Sequence, residues 1–447
     1  MQHKRFSYQQ LSELQEDILM SGVDLPVSEN IDILKQPLAL SNGKMLSNRL
    51  VIHPMEGCDG MPGGAPGELT FRRYRRFSAG GAGLLWMEAC AVVHEGRANP
   101  RQILLNRENL PVFGDLVDEI RRTAAENNVP YLTLQLTHSG RYSKPNVQAE
   151  AIVAVPENPY IDPFTNPKRR MISDDELEQL EDKYVEAAKL AESIGFHAVD
   201  IKACHRYLIS ELLSAYTRPG RYGGSFENRT RFLLNIIDKV RDRVNIDITL
   251  RMNAYDAIPY PYGWGTDENG NPATEEPKQL MKILENKGIS IINLTTGNPY
   301  YNPHIGRPSD IGPYVAPEHP IESAARMLHV IRELKSAVPS LPVIGTGFSW
   351  FREYGANIAA GCIEKGWIDL AGFGRQSFAY PDFANDLLTY GKMERKKCCI
   401  ACTKCTELMR FGREAGCVIK DGKTYLPIWK AATNGQTMMS NRIGTHI

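Results

Sequence analysis

The chain has 447 residues; its 52 basic side chains are balanced by 52 acidic ones, and 42% of its residues are apolar. That length supports one large barrel with an appendage, or two or three smaller domains, and the neutral balance argues against nucleic-acid or membrane-surface binding. The most apolar run, residues 82–93, carries Glu88 and is too short and polar to cross a bilayer, and the polar first ten residues hold no apolar signal core, so a soluble cytoplasmic protein is expected.

Residues 1–36 contain one amphipathic helix at most, around residues 8–20, and read as an extension packed on the outside. After Ser47 a rhythm begins. Short apolar runs at 49–53, 82–88, 131–136, 197–201, 246–251, 289–294, 341–345 and 367–371 are rich in β-branched residues and bounded by Gly, Pro or Asn. Such runs are the pattern of buried parallel strands. Helical stretches separate them. In the clearest, Ser173 and Glu176 form a capping box, Leu177, Leu180, Tyr184, Ala187, Ala191 and Ile194 fall three or four apart, and Gly195 ends the helix. Residues 226–244, 276–287, 322–336 and 354–365 behave likewise. Eight strands alternating with helices predict an α/β chain folded as a (β/α)8 TIM barrel. A doubly wound open sheet would want a G-x-G-x-x-G fingerprint after its first strand, which is absent.

In such a barrel the site lies at the C-terminal ends of the strands. The residues there are unusually rich in polar groups and glycine: Pro54, Met55 and Glu56, then Ala89, Gln135, Lys202, His205, Tyr207 and Arg251, then Gly345, Gly347, Gly374 and Arg375. The last four follow the seventh and eighth runs, where barrels commonly hold phosphate. Glycines let backbone amides approach an anion, and Arg375 adds a charged fork.

The C-terminal stretch holds Cys399, Cys402 and Cys405 in seven residues, with Cys417 following. Disulfides do not suit a chain without a secretory signal. A structural zinc site is one reading. An iron–sulfur cluster is the favoured one, because C-x2-C-x2-C is closer to ferredoxin-type ligation than to paired zinc knuckles. Cys398 is a bystander in either.

The stretches SNRLVIHPM at 47–55, QLTHSGR at 135–141, HRYLISELLS at 205–214 and YGGSFENR at 222–229 resemble the Old Yellow Enzyme family. The cysteine tail is similar to the cluster segment of its iron–sulfur branch, the 2,4-dienoyl-CoA reductase and trimethylamine dehydrogenase group. The likeness covers roughly residues 37–420. It implies three segments: an N-terminal extension at 1–36, an FMN-binding barrel at 37–392, and a 4Fe-4S-binding segment at 393–447. It places Pro54, Met55, Glu56 and Ala89 against the flavin, with Gln135 and Arg251 hydrogen-bonding the ring edge. Gly345, Gly347, Gly374 and Arg375 would hold the phosphate, and Cys399, Cys402, Cys405 and Cys417 the cluster.

The implied reaction is reduction of an α,β-unsaturated carbonyl. Tyr207 is the expected proton donor, in preference to a core tyrosine. His205, two residues earlier, would hydrogen-bond the substrate carbonyl. Lys202, where relatives often carry histidine, would either bind substrate oxygen or pair with a carboxylate. His304 resembles a second active-site histidine, and His53 reads as structural. Tyr222 to Arg229 reads as a structural marker, with Glu227 and Arg229 pinning the loop. Arg206 stands where the family usually has glycine, and Glu56 replaces a small or thiol residue. Longer relatives continue into a flavin- and nicotinamide-binding part, for which the residues after Cys417 are too few, so flavodoxin, ferredoxin or NAD(P)H acting directly is the expected electron donor. The alternatives are an oxidative flavoenzyme of amine dehydrogenase type and a non-catalytic electron-transfer subunit.

Overall fold

The computed structural model describes residues 4–125, 128–164, 168–312 and 314–434, so the last part of the expected cluster segment, 435–447, lies outside the described residues. Eight parallel strands close into a barrel. They are β1 (Leu50–Ile52), β2 (Leu84–Ala91), β3 (Tyr131–Thr137), β4 (Ala198–Ile201), β5 (Asp247–Asn253), β6 (Ile292–Thr295), β7 (Val343–Gly345) and β8 (Leu370–Phe373). Each pairs with the next, and β8 returns to β1 through Ala371 opposite Leu50. All eight apolar runs therefore became barrel strands.

Strand alternation sorts the side chains into two cores. Val51, Leu84, Trp86, Tyr131, Ala198, Ile344 and Leu370 form one cluster inside the ring, capped by Leu40 and Leu46 of a small antiparallel ladder (Leu38–Ala39 with Met45–Leu46). Leu50, Ile52, Leu85 and Met87 point the other way and meet the helices. A register slip between Trp86 and Ala89 breaks the alternation of β2. Such a bulge re-aims the strand end.

The surrounding helices are α1 (Glu68–Ala79), α2 (Leu110–Thr123), α3 (Asp174–Ser193), α4 (Phe226–Arg243), α5 (Glu275–Asn286), α6 (Pro320–Ser336), α7 (Gly355–Glu364) and α8 (Phe383–Tyr390). Helix α3 starts where the capping box put it: Glu176 N donates to Ser173 Oγ at 3.1 Å, and Ser173 N to Glu176 Oε2 at 2.8 Å. It stops at Gly195, whose φ of +89° suits glycine. The marker at 222–229 is structural in a different way from the reading: buried Arg229 ion-pairs with Glu276 at 2.6 Å, not with Glu227.

The N-terminal segment forms its helix at Leu11–Met20. Phe6, Tyr8, Leu14 and Ile18 are buried in the main core. Phe6 packs edge-on against Trp350, and Arg395 donates to the Tyr8 carbonyl, so the N-terminal segment meets residue 395 beside the loop after β7. Among the described residues no helix is long and apolar enough to cross a membrane.

Candidate active site

The C-terminal ends of the strands surround a cavity of about 360 Å³. From β1 and its loop come Pro54, Met55 and Glu56, and Ala89 comes from β2. Gln135 and Arg251 enter from β3 and β5, Lys202, His205 and Tyr207 from the loop after β4. Gly347, Gly374 and Arg375 complete it from the loops after β7 and β8. Strand ends projecting side chains from different directions into one mouth is the property of this architecture that supports chemistry.

Asp200 organises one wall. It is fully buried and accepts from Gln135 Nε2 at 2.6 Å, Trp86 Nε1 at 2.8 Å and Arg251 N at 2.7 Å. These bonds fix Gln135 with its amide oxygen free for a ligand, and Arg251 keeps a buried Nε with no protein partner. Burial lifts the Asp200 carboxyl from 3.8 to about 6. A carboxyl raised in the fold binds its proton more tightly folded than unfolded, so its stabilising contribution is complete below about pH 4 and is lost as pH rises through about 6. The loss is on the order of 3 kcal/mol. Urea titrations of Asp200→Asn should show this part of the pH slope removed between pH 4 and 6; an unchanged slope would place the titration elsewhere.

Tyr207 is 2% exposed and its hydroxyl hydrogen-bonds Tyr300, while the Lys202 ammonium sits 3.7 Å from its ring centroid. Burial, then the neighbouring Tyr300, drives the Tyr207 phenol well above 10, so it stays protonated. Tyr142 stacks on Tyr300 with ring centroids 3.9 Å apart. Burial lowers the Lys202 ammonium, opposed by Glu56, whose own carboxyl burial raises. Asn99 Nδ2 donates to Glu56 at 2.7 Å. Burial and the nearby Arg251 and Lys202 charges hold the His205 imidazole well below 6.5, hence neutral. His205 and Arg206 have φ of +62° and +58°. Glycine takes that conformation freely, other residues at a cost of roughly 1 kcal/mol.

Several expectations need correction. Gly345 does not reach the cavity. It lies inside β7, pairs across to Ala371, and a Cβ there would strike Ile368, so it serves strand packing. His304 is not among the lining residues either; its Nδ1 meets the Tyr314 hydroxyl at 2.6 Å, and the two rings stack. Arg206 is fully buried away from the mouth, ion-paired to Asp256 at 3.0 Å. His53, read as structural, lines the cavity, 3.5 Å from Arg251 Nη2. It fits because residue 372 is glycine; a Cβ there would overlap the ring.

The cavity also takes residues the sequence reading passed over: Asn99, Tyr142, Tyr300, Arg307 and Arg410. Tyr142 follows the QLTHSGR stretch directly, which was an available signal. The others sit on loops or on the short helix Lys404–Arg410, where no periodicity marks direction.

Beside Arg375 lies a second, small cavity lined by Cys399, Cys402, Cys405 and Cys417 together. Left-handed backbone at Ala401 and Thr403 (φ +54° and +63°) curls the loop around Cys402. Backbone amides already address two sulfurs: Ala401 N to Cys399 Sγ at 3.3 Å and Lys420 N to Cys417 Sγ at 3.2 Å. Among the described residues no three His, Cys, Asp or Glu side chains form a group that could hold a metal ion.

The sequence profile of the NADH:flavin oxidoreductase / NADH oxidase family matches residues 34–309, more than half of the chain. The chain belongs to that family. The Old Yellow Enzyme likeness of its motifs is thereby accounted for. The NADH oxidase of Thermoanaerobacter brockii is 27% identical to it over 376 residues, 82% of this chain and 53% of that protein. Among solved structures, 2-naphthoyl-CoA reductase in complex with 2-naphthoyl-CoA superimposes with a TM-score of 0.71 at 21% identity, over 87% of this chain and 57% of that one. Histamine dehydrogenase from Rhizobium sp. 4-9 gives 0.67 at 19%, over 87% and 52%. These structural likenesses establish the shared barrel. The chain spans about half the length of the curated relatives it matches.

The cavity fits the family's flavin. At one end it offers the unpartnered Arg251 Nε and the oriented Gln135; at the other, Gly347 (φ +105°), Gly374 and an Arg375 whose buried Nη1 has no protein partner. Buried donors without partners are rare in finished structures and are satisfied when a ligand arrives.

Proposed function

We propose that this flavin oxidoreductase carries FMN at the barrel mouth and a 4Fe-4S cluster on Cys399, Cys402, Cys405 and Cys417, and that it reduces the activated double bond of an α,β-unsaturated carbonyl compound. The observation that carries the reading is Tyr207, a buried, protonated phenol hydrogen-bonded to Tyr300, in the same cavity as the flavin-facing pair Gln135 and Arg251.

Bound FMN supplies the hydride that such a reduction needs at the β-carbon. Tyr207 supplies the proton at the α-carbon, so that one C=C becomes CH–CH. The Lys202 cation against the Tyr207 ring stabilises the phenolate left behind. Neutral His205 donates an N–H to the substrate carbonyl, where negative charge gathers. Arg251 offsets negative charge at the flavin ring edge, Pro54, Met55, Glu56 and Ala89 form its wall, and Gly347, Gly374 and Arg375 hold its phosphate. Gly345 and His304 take no part.

Four thiols around one cavity, with no set for a single ion among the described residues, suit a multi-iron cluster better than zinc, whose thiolates must all lie about 2.3 Å from one point. A cluster held by Cys399, Cys402, Cys405 and Cys417 would supply single-electron transfer to the flavin from an outside donor, a small redox protein such as a flavodoxin or ferredoxin; NAD(P)H reacting at the flavin is the other route. Protein purified without oxygen should contain one FMN and about four iron and four sulfide per chain. Cys405→Ser should lose most of the iron and sulfide while keeping flavin. Zinc in place of iron would end the cluster assignment, and protein without flavin would end the whole reading.

A further inference from the structure

From the charge and exposure around the thiol cavity we infer that the face carrying Cys402, Cys417, Ile419 and Lys420 is the docking surface for a small one-electron carrier protein with an acidic surface. This rests on the reading that the four thiols hold a cluster, and it adds where the outside donor binds and what chemistry it presents.

The four thiols are not equally placed. Cys399 and Cys405 are buried, whereas Cys402 and Cys417 are partly exposed. Arg375 lines both the thiol cavity and the barrel cavity, so it marks the wall that the two share. Electrons arriving from outside meet the thiol cavity at its exposed edge, Cys402 and Cys417. Ile400 and Ile419 line the cavity beside those thiols, and Ile419 is 42% exposed. Apolar side chains within a polar rim are the layout of a protein contact. Encounters between redox proteins are small, so a face of this extent is enough.

The charge of the rim selects the partner. Residues 392–430 carry ten basic and four acidic side chains, in a chain whose charges balance as a whole. The four acids are all engaged within the fold. Glu414 pairs with Arg101, Asp421 with Arg72 and Arg76, and Glu394 with Lys397, while buried Glu407 accepts from Trp429 Nε1 at 2.7 Å. Three lysines are spent differently. Lys420 Nζ donates to the Lys396 carbonyl at 2.6 Å, which brings residues 396 and 420 together, and Lys404 sits over the Trp429 ring at 3.4 Å. Among the described residues no carboxylate ion-pairs with Lys396, Lys404 or Lys420. A positive rim around an apolar centre steers an acidic protein onto it, and salt screens that attraction. Each docking passes one electron, so the carrier is oxidised by one and the thiol-held site reduced by one. Two such events, with one proton from water, supply the hydride equivalent delivered from FMN.

An acidic surface is common to two carriers, a 2Fe-2S ferredoxin and a flavodoxin, and each is mixed in its reduced form with the oxidised holoenzyme in a stopped-flow apparatus. With the better of the two, the second-order rate of flavin reduction should fall by about tenfold or more between about 20 and 300 mM salt. Lys396→Glu and Lys420→Glu together should lower the low-salt rate by a similar factor and flatten its salt dependence, whereas reversal of the exposed Lys189 of α3, Lys189→Glu, should change it by less than about twofold. Dithionite needs no docking and should reduce parent and double variant within about twofold of each other, which shows that the variant is intact. Binding is read separately. Carbodiimide coupling of the oxidised carrier to the holoenzyme, mapped by mass spectrometry, should join its carboxylates to Lys396, Lys404 or Lys420. Cross-links only at other lysines, or a rate indifferent to the double reversal, overturns the inference. If neither carrier reduces the holoenzyme while NAD(P)H does, the docking surface is rejected and the flavin and cluster assignments stand. If the protein holds no iron and sulfide, the cluster assignment fails, and the cross-links alone decide the surface: coupling at these three lysines supports it, and its absence rejects it.

Discussion

Tyr207→Phe is expected to slow oxidation of the reduced flavin by an enone by about 10²- to 10⁴-fold, the span that a positioned general acid contributes. Flavin reduction by the electron donor should change by no more than a few-fold, because no proton is delivered to a carbon in that half-reaction. The substitution removes one oxygen from a ring that stays packed against Lys202 and Tyr142, so the fold is not at risk. Tyr300→Phe is the companion measurement. It deletes the hydrogen-bond partner but leaves the donor, and a loss of only several-fold is expected. The two titrations that flank the step also set its pH dependence. The Tyr207 phenol is held well above 10 and the His205 imidazole well below 6.5. Neither changes charge between about pH 7 and 9, so neither should make the parent rate depend on pH in that range. Stopped-flow traces in which the variant matches the parent would reduce Tyr207 to a core tyrosine.

The largest effect on stability is expected at Arg73. Its guanidinium is 4% exposed and pairs with both Asp59 and Glu88. Glu88 also accepts from Gly57 N at 2.7 Å and from the Tyr74 hydroxyl at 3.1 Å, and Asp59 accepts from Thr70 Oγ1 at 2.7 Å. This network joins α1 and β2 to the loop after β1, the loop that presents Pro54, Met55 and Glu56 to the cavity. Gly57 belongs to it by necessity, since a Cβ there would overlap the guanidinium. Arg73→Met fills most of the volume but strands two buried carboxylates, at a cost of about 3 to 5 kcal/mol. Glu88 is lifted by burial to about 7 even beside Arg73. Without that cation the Glu88 carboxyl rises further above its unfolded value, and stability then falls as pH rises through it. Urea denaturation should therefore show a smaller deficit near pH 5 than near pH 8, and adding Glu88→Gln should recover part of it. A deficit under about 1 kcal/mol at pH 8 would mean the network relaxes or hydrates when opened.

How far residues could be read in advance follows from how local their signals are. Each strand was visible as a short apolar run between breakers, and α3 as a capping box with a 3.6-residue period, since a strand or helix must bury a face set by its own repeat. Counting eight such units gives the barrel, and the barrel gives the rim, which is why Gln135, Lys202, Tyr207, Arg251 and Arg375 could be named before any coordinates. Gly345 failed by a small margin: it falls on the last strand residue rather than in the loop, and a run of residues does not mark that boundary. His304 failed because the one-turn helix Pro303–Gly306 is too short for a repeat to show where its side chains aim, and Tyr314 captured the ring.

The remaining features join distant parts of the chain. Arg206 finds Asp256 50 residues away, Arg73 reaches Asp59 and Glu88 from the helix between them, and Arg307 meets Thr406 across 99 residues. Periodicity was enough for the barrel, and the resemblance of short motifs for the family and most of the cavity rim, because those are written within windows of ten or twenty residues. Which cation faces which carboxylate, and which arginines line the cavity, depends on ring closure and on the tail folding back over the mouth. Burial then makes each such pairing obligatory, since a desolvated charge must find an opposite one or a ligand, but the partner is chosen by proximity that exists only once the barrel has closed.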